Sequence, residues 1–221
     1  MTSVIFDLDG TLADTSADLI RAANACFERR GFGAVLDAEE DKLTAFHGGR
    51  AMLRLGFSRL VDVVDEDMVD AEFSYFIDVY AENIDRETRL YPGAQAAVEA
   101  LVEGGLNVGI CTNKPEGLAE TLMTRLGVRD LFGALIGADT LPVRKPDPEP
   151  YYETVRRLGG DPKRSVLIGD TETDVKTARA AGVPVVLVTF GPEGQGIARL
   201  EPDALIHHFD DLVGLVDELF D

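Results

Sequence analysis

Two aspartates, Asp7 and Asp9, follow directly after the short apolar run Val4-Ile5-Phe6 near the start of the 221-residue chain. If this run is a β-strand, residues two apart point to the same side, so both carboxylates lie together at the carboxyl end of the strand. Two carboxylates this close repel each other unless a cation or a shared proton intervenes, and Mg²⁺ prefers such oxygen ligands. The alternative is a solvated acidic turn in which Gly10 reverses the chain.

A second acidic pair, Asp170 and Asp174, follows the apolar run Ser165–Ile168 and Gly169. Asp170 is expected at the carboxyl edge of the same sheet, where ligands bind in open α/β folds. Asp174 lies four residues later, near the start of a helix, where it could face the same ion. The alternative for Asp174 is a first-turn acid that complements the helix dipole.

Groups suited to a phosphoryl ligand lie at two further places. Thr112 and Asn113 end the run Asn107–Cys111, and their hydroxyl and amide can donate hydrogen bonds to phosphate oxygens. Turn and N-cap chemistry before the next helix is the alternative for both residues. Lys145 lies in a stretch stiffened by prolines, and its ammonium is a compact charge suited to a phosphoryl group. A solvated loop lysine is the alternative there.

These residues can lie together only if the strands that precede them end at the same edge of one sheet, and the sequence predicts such a sheet. Continuous apolar runs, typical of strands buried on both faces of a parallel sheet, alternate with helical patterns that mostly stop at glycine. The predicted strands are Val4–Phe6, Asn107–Cys111, Ala134–Ile136, Ser165–Ile168, Val185–Val188 and an edge strand Ala204–Ile206. The predicted helices between them are Ala94–Glu103, Pro115–Leu126, Tyr151–Leu158 and Thr173–Ala181. This alternation predicts an α/β fold with a Rossmann-like parallel sheet core.

Residues 17–86 break the alternation and contain no clear strand. The helices predicted there are Ala17–Arg30, Glu39–Thr44, Arg50–Val64 and Glu66–Asn83. A helical block inserted after the first strand predicts a small all-helical cap domain over 17–86, with the catalytic core formed by 1–16 and 87–221. The segments Leu12–Ser16 and Arg86–Leu90 are expected to link the two domains.

The overall charge limits what the protein can bind. Lys and Arg total 21 against 40 Asp and Glu, a formal charge of −19. Broad electrostatics would not hold nucleic acid or an anionic membrane on such a chain, so an anion needs a few local cations or a metal ion. No apolar run approaches the ~20 residues of a membrane span, and the first residues lack the pattern of a secretory signal. With only Cys26 and Cys111, predicted to be buried thiols, the sequence predicts a cytoplasmic protein.

Four segments together resemble the motifs of the haloacid dehalogenase superfamily. They are Asp7-Leu8-Asp9-Gly10-Thr11, a strand ending in Thr112-Asn113, Lys145-Pro146, and Gly169-Asp170 with Asp174, in this order along essentially the whole chain. The helical block resembles the C1-type cap of the subfamily that includes phosphoglycolate phosphatases and β-phosphoglucomutases. The resemblance implies a Mg²⁺-dependent phosphatase that acts on a small phosphorylated metabolite and is similar to phosphoglycolate phosphatase.

The resemblance also implies a role for each motif residue. Asp7 is implied as the nucleophile that becomes an aspartyl-phosphate, and Asp9 as the general acid and base. Mg²⁺ would be held by the carboxylates of Asp7 and Asp170 and the backbone carbonyl of Asp9, with Asp174 joining or supporting them. Phosphoryl oxygens would be bound by Thr112, Asn113 and Lys145.

The predicted cap carries one glycine-rich turn, His47-Gly48-Gly49-Arg50, which is similar to the specificity loop of the family. Gly49 and Arg50 are therefore expected to contact the substrate, although an arginine at the start of a surface helix is the alternative. Two other functions stay open at this point. A sugar phosphomutase would use the same residues but shield the aspartyl-phosphate from water, and a non-catalytic binding protein would keep only the fold. The sequence leaves the oligomeric state undetermined.

Overall fold

The computed structural model describes residues 2–220. The chain forms two compact units. The sheet unit comprises the chain up to Ala13 and from Leu90 onward, and the helical unit comprises Asp14–Arg89. This division lies three residues from the predicted boundaries at either end of the helical block.

Eight strands are present within the described residues. In chain order they are β1 Ser3–Phe6, β2 Ala13–Asp14, β3 Arg89–Leu90, β4 Asn107–Cys111, β5 Ala134–Ile136, β6 Ser165–Gly169, β7 Val185–Val188 and β8 Ala204–Ile206. Six of them form one parallel sheet in the order β5-β4-β1-β6-β7-β8, with the predicted β8 at an edge. The short strands β2 and β3 form a separate two-stranded sheet. The predicted α/β fold class is confirmed.

Both faces of the parallel sheet are buried, as its continuous apolar runs predict. The helices of the sheet unit are α5 Ala94–Glu103, α6 Glu116–Arg125, α7 Glu149–Arg157, α8 Glu172–Ala181 and α9 Leu212–Phe220. On one face, Ile5 and Leu167 belong to a core cluster with Tyr151 of α7 and Val175 of α8. Phe6 points to the other face, because successive strand residues alternate, and its ring packs edge-on against another aromatic ring.

Helices of the helical unit pack around an aromatic core. They are α1 Ser16–Arg29, α2 Lys42–Ala45, α3 Gly49–Ser58 and α4 Glu66–Glu82. The rings of Phe27 and Phe57 meet edge to face with centroids 5.2 Å apart. Gly56 allows this approach of α1 to α3, because a Cβ at that position would collide with the Phe27 ring.

The structure differs from the predicted helices at three places. The predicted extension of α3 to Val64 is wrong: the helix ends at Ser58, and Asp65 caps the next helix by accepting from the backbone N–H of Asp67. The helix predicted at Glu39–Thr44 begins later, because the Asp37 carboxylate binds the N–H groups of residues 39 and 40 in a turn. The nine-residue helix α9 was not predicted. No helix within residues 2–220 combines the length and apolar character required to cross a membrane.

Candidate active site

The register of the sheet brings three predicted site segments to one edge. Phe6 of β1 pairs with Ile110 of β4 on one side and with Ile168 of β6 on the other. The residues that follow these positions therefore leave the sheet at the same level. Asp7, Thr112 and Asp170 are among them, and all three are buried.

Asp7 lies at the centre of this edge beside a buried lysine. Its Oδ1 accepts a hydrogen bond from the backbone N–H of Leu8 at 2.7 Å and lies 3.1 Å from Nζ of Lys145. Burial raises the pKa of Asp7 to about 6; Lys145 opposes that rise, and Asp174 and Asp9 add to it. Both of these contacts fall on the same oxygen, Oδ1, of the Asp7 carboxylate.

Asp174 is held by the start of helix α8 and by the same lysine. Its Oδ2 accepts hydrogen bonds from the hydroxyl and backbone N–H of Thr171, and its Oδ1 lies 2.6 Å from Nζ of Lys145. Thr171 and Asp174 form a capping box, so the residue also does what the helix-start alternative predicted. Gly169 makes room for it, since a Cβ there would come within 2.5 Å of the Asp174 Cγ.

Asp170 carries a buried oxygen that the protein leaves unsatisfied. Its Oδ1 accepts a hydrogen bond from the Thr11 hydroxyl at 2.7 Å, whereas its Oδ2 has no hydrogen-bond partner within residues 2–220. Burial, followed by repulsion from Asp7 and Asp174, raises the pKa of Asp170 well above its usual value. A buried carboxylate oxygen without a partner is costly unless a cation binds it.

The acidic cluster suits a divalent cation. The buried Asp7, Asp170 and Asp174 each place a carboxylate oxygen within 4.8 Å of the other two. Within the described residues, Lys145 forms ion pairs with two of these three carboxylates, those of Asp7 and Asp174, so the three carboxylates in their ionised form exceed this one ammonium by two formal negative charges. Carboxylate oxygens are the ligands of Mg²⁺, so the donor set and the leftover charge both fit that ion. Asp9, the fourth predicted ligand, lies outside this side-chain cluster.

The predicted phosphoryl-binding residues surround the same cluster. Burial alone would lower the pKa of Lys145, but Asp174 and Asp7 outweigh it, and the pKa of Lys145 is raised, which keeps the ammonium charged. Asn113 donates its side-chain N–H to the backbone carbonyl of Lys145 at 2.9 Å, and thereby ties the two loops together. Thr112 is 3% exposed, directly after β4.

Two residues at this edge had been given no role by the sequence analysis. Lys114 is buried, and its Nζ lies 2.8 Å from Oδ1 of Asp9. Thr11 holds Asp170, as described above. One signal could have drawn attention to Lys114: it is one of only five lysines and directly follows Thr112-Asn113 at a strand end.

The two predicted cap residues, Gly49 and Arg50, belong to the helical unit. Arg50 forms an ion pair with Asp70, and its guanidinium lies 4.2 Å from the centroid of the Phe73 ring. Gly49 begins helix α3, and a Cβ there would collide with the ring of Phe76. Packing within the helical unit is therefore sufficient to explain the glycine.

Comparisons with known proteins agree with the fold and identify the family. A family model described as haloacid dehalogenase-like hydrolase matches residues 4–188. The chain is 40% identical to the phosphoglycolate phosphatase of Mesorhizobium japonicum, over 95% of this chain and 92% of that protein. It is 37% identical to the phosphoglycolate phosphatase of Agrobacterium fabrum, over 98% and 91% of the two chains. A crystal structure of a predicted phosphoglycolate phosphatase from Haemophilus somnus superposes with a TM-score of 0.83 at 27% identity, covering 97% of each chain.

Proposed function

Because this chain belongs to the haloacid dehalogenase-like hydrolase family, we propose that it hydrolyses a small phosphomonoester of the 2-phosphoglycolate class with Mg²⁺ at the sheet edge. The chain is a phosphoric monoester hydrolase, and the proposal adds the substrate, the metal and the mechanism. The observation that carries it is the cluster of Asp7, Asp170 and Asp174 around Lys145, with two negative charges left over. The proposed location is the cytoplasm.

In the first half of the proposed reaction, Asp7 is the nucleophile. An oxygen of its carboxylate forms a bond to phosphorus, and the bond between phosphorus and the ester oxygen breaks. The electron pair of that bond goes to the leaving oxygen, which takes a proton from Asp9 and departs as the alcohol. The products of this half are an aspartyl-phosphate on Asp7 and an ionised Asp9.

In the second half, Asp9 acts as the base. Its carboxylate accepts a proton from water while the water oxygen forms a bond to phosphorus. The bond between phosphorus and Asp7 breaks, and its electron pair restores the Asp7 carboxylate. Inorganic phosphate leaves, and Asp9 is again protonated for the next ester.

The remaining residues of the edge bind and orient the phosphoryl group. Lys145 supplies a fixed positive charge beside the nucleophile, and the Thr112 hydroxyl and Asn113 amide are proposed donors to the phosphoryl oxygens. A bound Mg²⁺, held by Asp7, Asp170 and Asp174 and by the backbone carbonyl of Asp9, would supply further neutralisation of phosphoryl charge. Positioning and charge neutralisation are what phosphoryl transfer mainly requires.

We further propose that Arg50 and Gly49 of the helical unit contact the non-phosphorylated end of the substrate. To do so, the Arg50 guanidinium would have to exchange its ion pair with Asp70 for a substrate anion. Replacing Arg50 with Ala is then expected to lower kcat/KM for the best substrate by about 10-fold or more. An unchanged kcat/KM would show that Arg50 is only a surface residue of helix α3.

Phosphate release from a panel of phosphorylated metabolites tests the proposed function. The panel includes 2-phosphoglycolate and sugar phosphates, and each reaction is run with Mg²⁺ and again after EDTA. Metal-dependent release that is fastest from 2-phosphoglycolate is the expected result. Interconversion of sugar phosphates with little free phosphate would instead identify a mutase, and inactivity on every ester would leave a binding protein.

A further inference from the structure

A second buried lysine at the sheet edge pairs with the proposed acid and base. Nζ of Lys114 lies 2.8 Å from Oδ1 of Asp9, a charge-assisted hydrogen bond between residues 105 positions apart in the chain. The Lys114 side chain is 3% exposed, whereas that of Asp9 is 20% exposed. The lysine therefore holds the carboxylate from the protein side, and Asp9 is the more accessible partner.

The backbone at Lys114 is fixed on both sides. Its N–H donates to the Thr112 hydroxyl at 3.1 Å, and its carbonyl accepts from the N–H of Ala138 at 2.9 Å. The backbone of Gly137 lies close against this turn, because a Cβ there would come within 2.8 Å of the Lys114 carbonyl oxygen. The ammonium is thus presented from a braced turn rather than from a mobile loop.

The two buried lysines divide the acidic groups between them. Lys145 contacts Asp7 and Asp174, whereas the pair that Lys114 forms is with Asp9. Each of the two carboxylates of the first motif therefore has its own ammonium. An ammonium attracts a carboxylate most strongly when the carboxylate is ionised, and this is the form that Asp9 takes in the proposed mechanism after it has protonated the leaving oxygen.

We propose that Lys114 is a positioning residue that fixes the Asp9 carboxylate for the hydrolysis of the aspartyl-phosphate. In that step Asp9 accepts a proton from water, the water oxygen bonds to phosphorus, and the bond from phosphorus to Asp7 breaks. Holding the base within reach of the water matters, since a displacement of about 1 Å can cost about 100-fold in rate. The inference rests on the proposed function, because it takes the role of Asp9 from there.

Loss of the lysine should slow the second half of the reaction more than the first. With p-nitrophenyl phosphate, the leaving group departs without needing a proton, so formation of the aspartyl-phosphate does not depend on the position of Asp9. In a Lys114→Met variant, kcat should fall between about 10-fold and about 100-fold, and KM should fall with it. The ratio kcat/KM should stay within about threefold, because it reports only the first half.

The experiment uses the full chain with Mg²⁺ and p-nitrophenyl phosphate, followed in the first turnover and at steady state. The Lys114→Met variant should show a burst of one p-nitrophenol per enzyme, and acid-quenched protein should carry the added mass of one phosphoryl group. Lys114→Arg restores a cation and should recover part of kcat. Lys176→Met is the matched control, because Lys176 also pairs with a carboxylate but is 58% exposed on helix α8, and it should keep the parent kcat.

Three outcomes would overturn the proposal. Equal losses of kcat and kcat/KM, with no phosphorylated protein, would indicate a structural role. A rise in KM alone would make Lys114 a substrate contact, and unchanged kinetics would leave it without a role. Absence of phosphatase activity in the parent would instead refute the proposed function, which separates the two failures.

Discussion

In the helical unit, a buried carboxylate on Glu72 lies between two arginines, whereas at the sheet edge one buried lysine pairs with two of three buried carboxylates. Arg29 and Arg30 each place Nε about 3 Å from a Glu72 oxygen, at 2.9 Å and 3.0 Å. Asp41, which is 5% exposed, receives two hydrogen bonds from the guanidinium of Arg59. Glu72 is thus paired with two cations and Asp41 with one, so neither buried acid lacks a positive partner.

The buried Asp18 combines close neutral donors with a more distant cation, since Nε of Arg21 lies 3.8 Å from its Oδ1. Its Oδ2 accepts the backbone N–H of Glu87 and both the N–H and the hydroxyl of Thr88, each at 2.9 Å. The carboxylate of Asp18 therefore fastens the chain at 87–88 to the first turn of α1.

The pKa values move in opposite directions in the two regions. The hydrogen bonds from Arg59 lower the pKa of Asp41, whereas burial raises those of Asp7 and Asp170. Burial of an acid therefore does not by itself mark a functional site in this protein. The distinguishing feature of the sheet edge is that its buried carboxylates outnumber the ammonium that pairs with them, a difference that the proposed cation would compensate.

The largest expected effect separates the two regions by activity. Asp7→Asn removes the proposed nucleophile and should lower kcat at least about 1,000-fold, while the variant folds as well as the parent. Asp41→Asn alters a buried acid of the helical unit and should keep kcat within about twofold. Phosphate release with Mg²⁺ and thermal unfolding of both variants measure the difference. Hydrolysis by the Asp7 variant at the parental rate would exclude the covalent mechanism.

The next effect concerns stability. Glu72→Gln leaves two arginines facing each other without their shared carboxylate, and should lower the free energy of unfolding by about 1–3 kcal/mol. The control is Glu149→Gln, which removes the acid from an exposed ion pair with Arg156 and should change stability little. Urea unfolding of both variants is the measurement. Equal stabilities would mean that the Glu72 charge contributes nothing to the helical unit.

At the sheet edge, removing a negative charge should increase stability rather than lower it. Asp170→Asn keeps an oxygen for the Thr11 hydroxyl but relieves repulsion, so without metal it should stabilise the protein by about 1–2 kcal/mol. Because the pKa of Asp170 is raised in the folded state, the unfolded parent releases its proton first as pH rises above about 4. The advantage of the Asn variant should therefore grow in EDTA as pH rises above about 4, until pH passes the raised folded-state pKa of Asp170.

Mg²⁺ supplies the complementary measurement on the same variant. The ion should raise the melting temperature of the parent and should raise that of the Asp170→Asn variant much less, because one carboxylate ligand is gone. A variant that is less stable than the parent in EDTA at every pH would contradict the idea of an uncompensated cluster.

Much of the sheet unit could be predicted from local sequence. Four predicted strands have the bounds of β4, β5, β7 and β8, because buried parallel strands are short apolar runs bounded by turn residues. Helix α9 could not be found this way. Its buried Leu212 and Val216 are stabilised by tertiary packing, which a nine-residue pattern does not reveal.

Placement of the acidic site could be predicted, because parallel strands bring their carboxyl ends to one edge. Its internal pairing could not. Lys114 meets Asp9 across 105 positions, and Thr11 meets Asp170 across 159, so no local spacing connects them. The roles assigned to the site residues stay predictions, and the kinetic variants above test them.

The smallest expected effect is the pH dependence of Asp41. Arg59 holds its carboxylate with two hydrogen bonds of 2.6 Å and 2.7 Å, and Asn can accept from only one side, so Asp41→Asn should cost about 1 kcal/mol at neutral pH. Because the folded-state pKa is lowered, this stability is present in full above the unfolded pKa of about 4 and is lost as pH falls through the folded value.

Urea unfolding of the Asp41 variant from about pH 8 to about pH 3 would show this pattern. The stability deficit of the Asp41 variant relative to the parent should stay constant from about pH 8 to about pH 5.5, and it should disappear only as pH falls below about 4. If the stabilities of both variants relative to the parent changed with pH in the same direction, the helical unit and the sheet edge would not differ in how they bury charge. Opposite slopes of relative stability against pH, in separate pH ranges, would show that the two regions differ because cations are arranged differently around their buried acids.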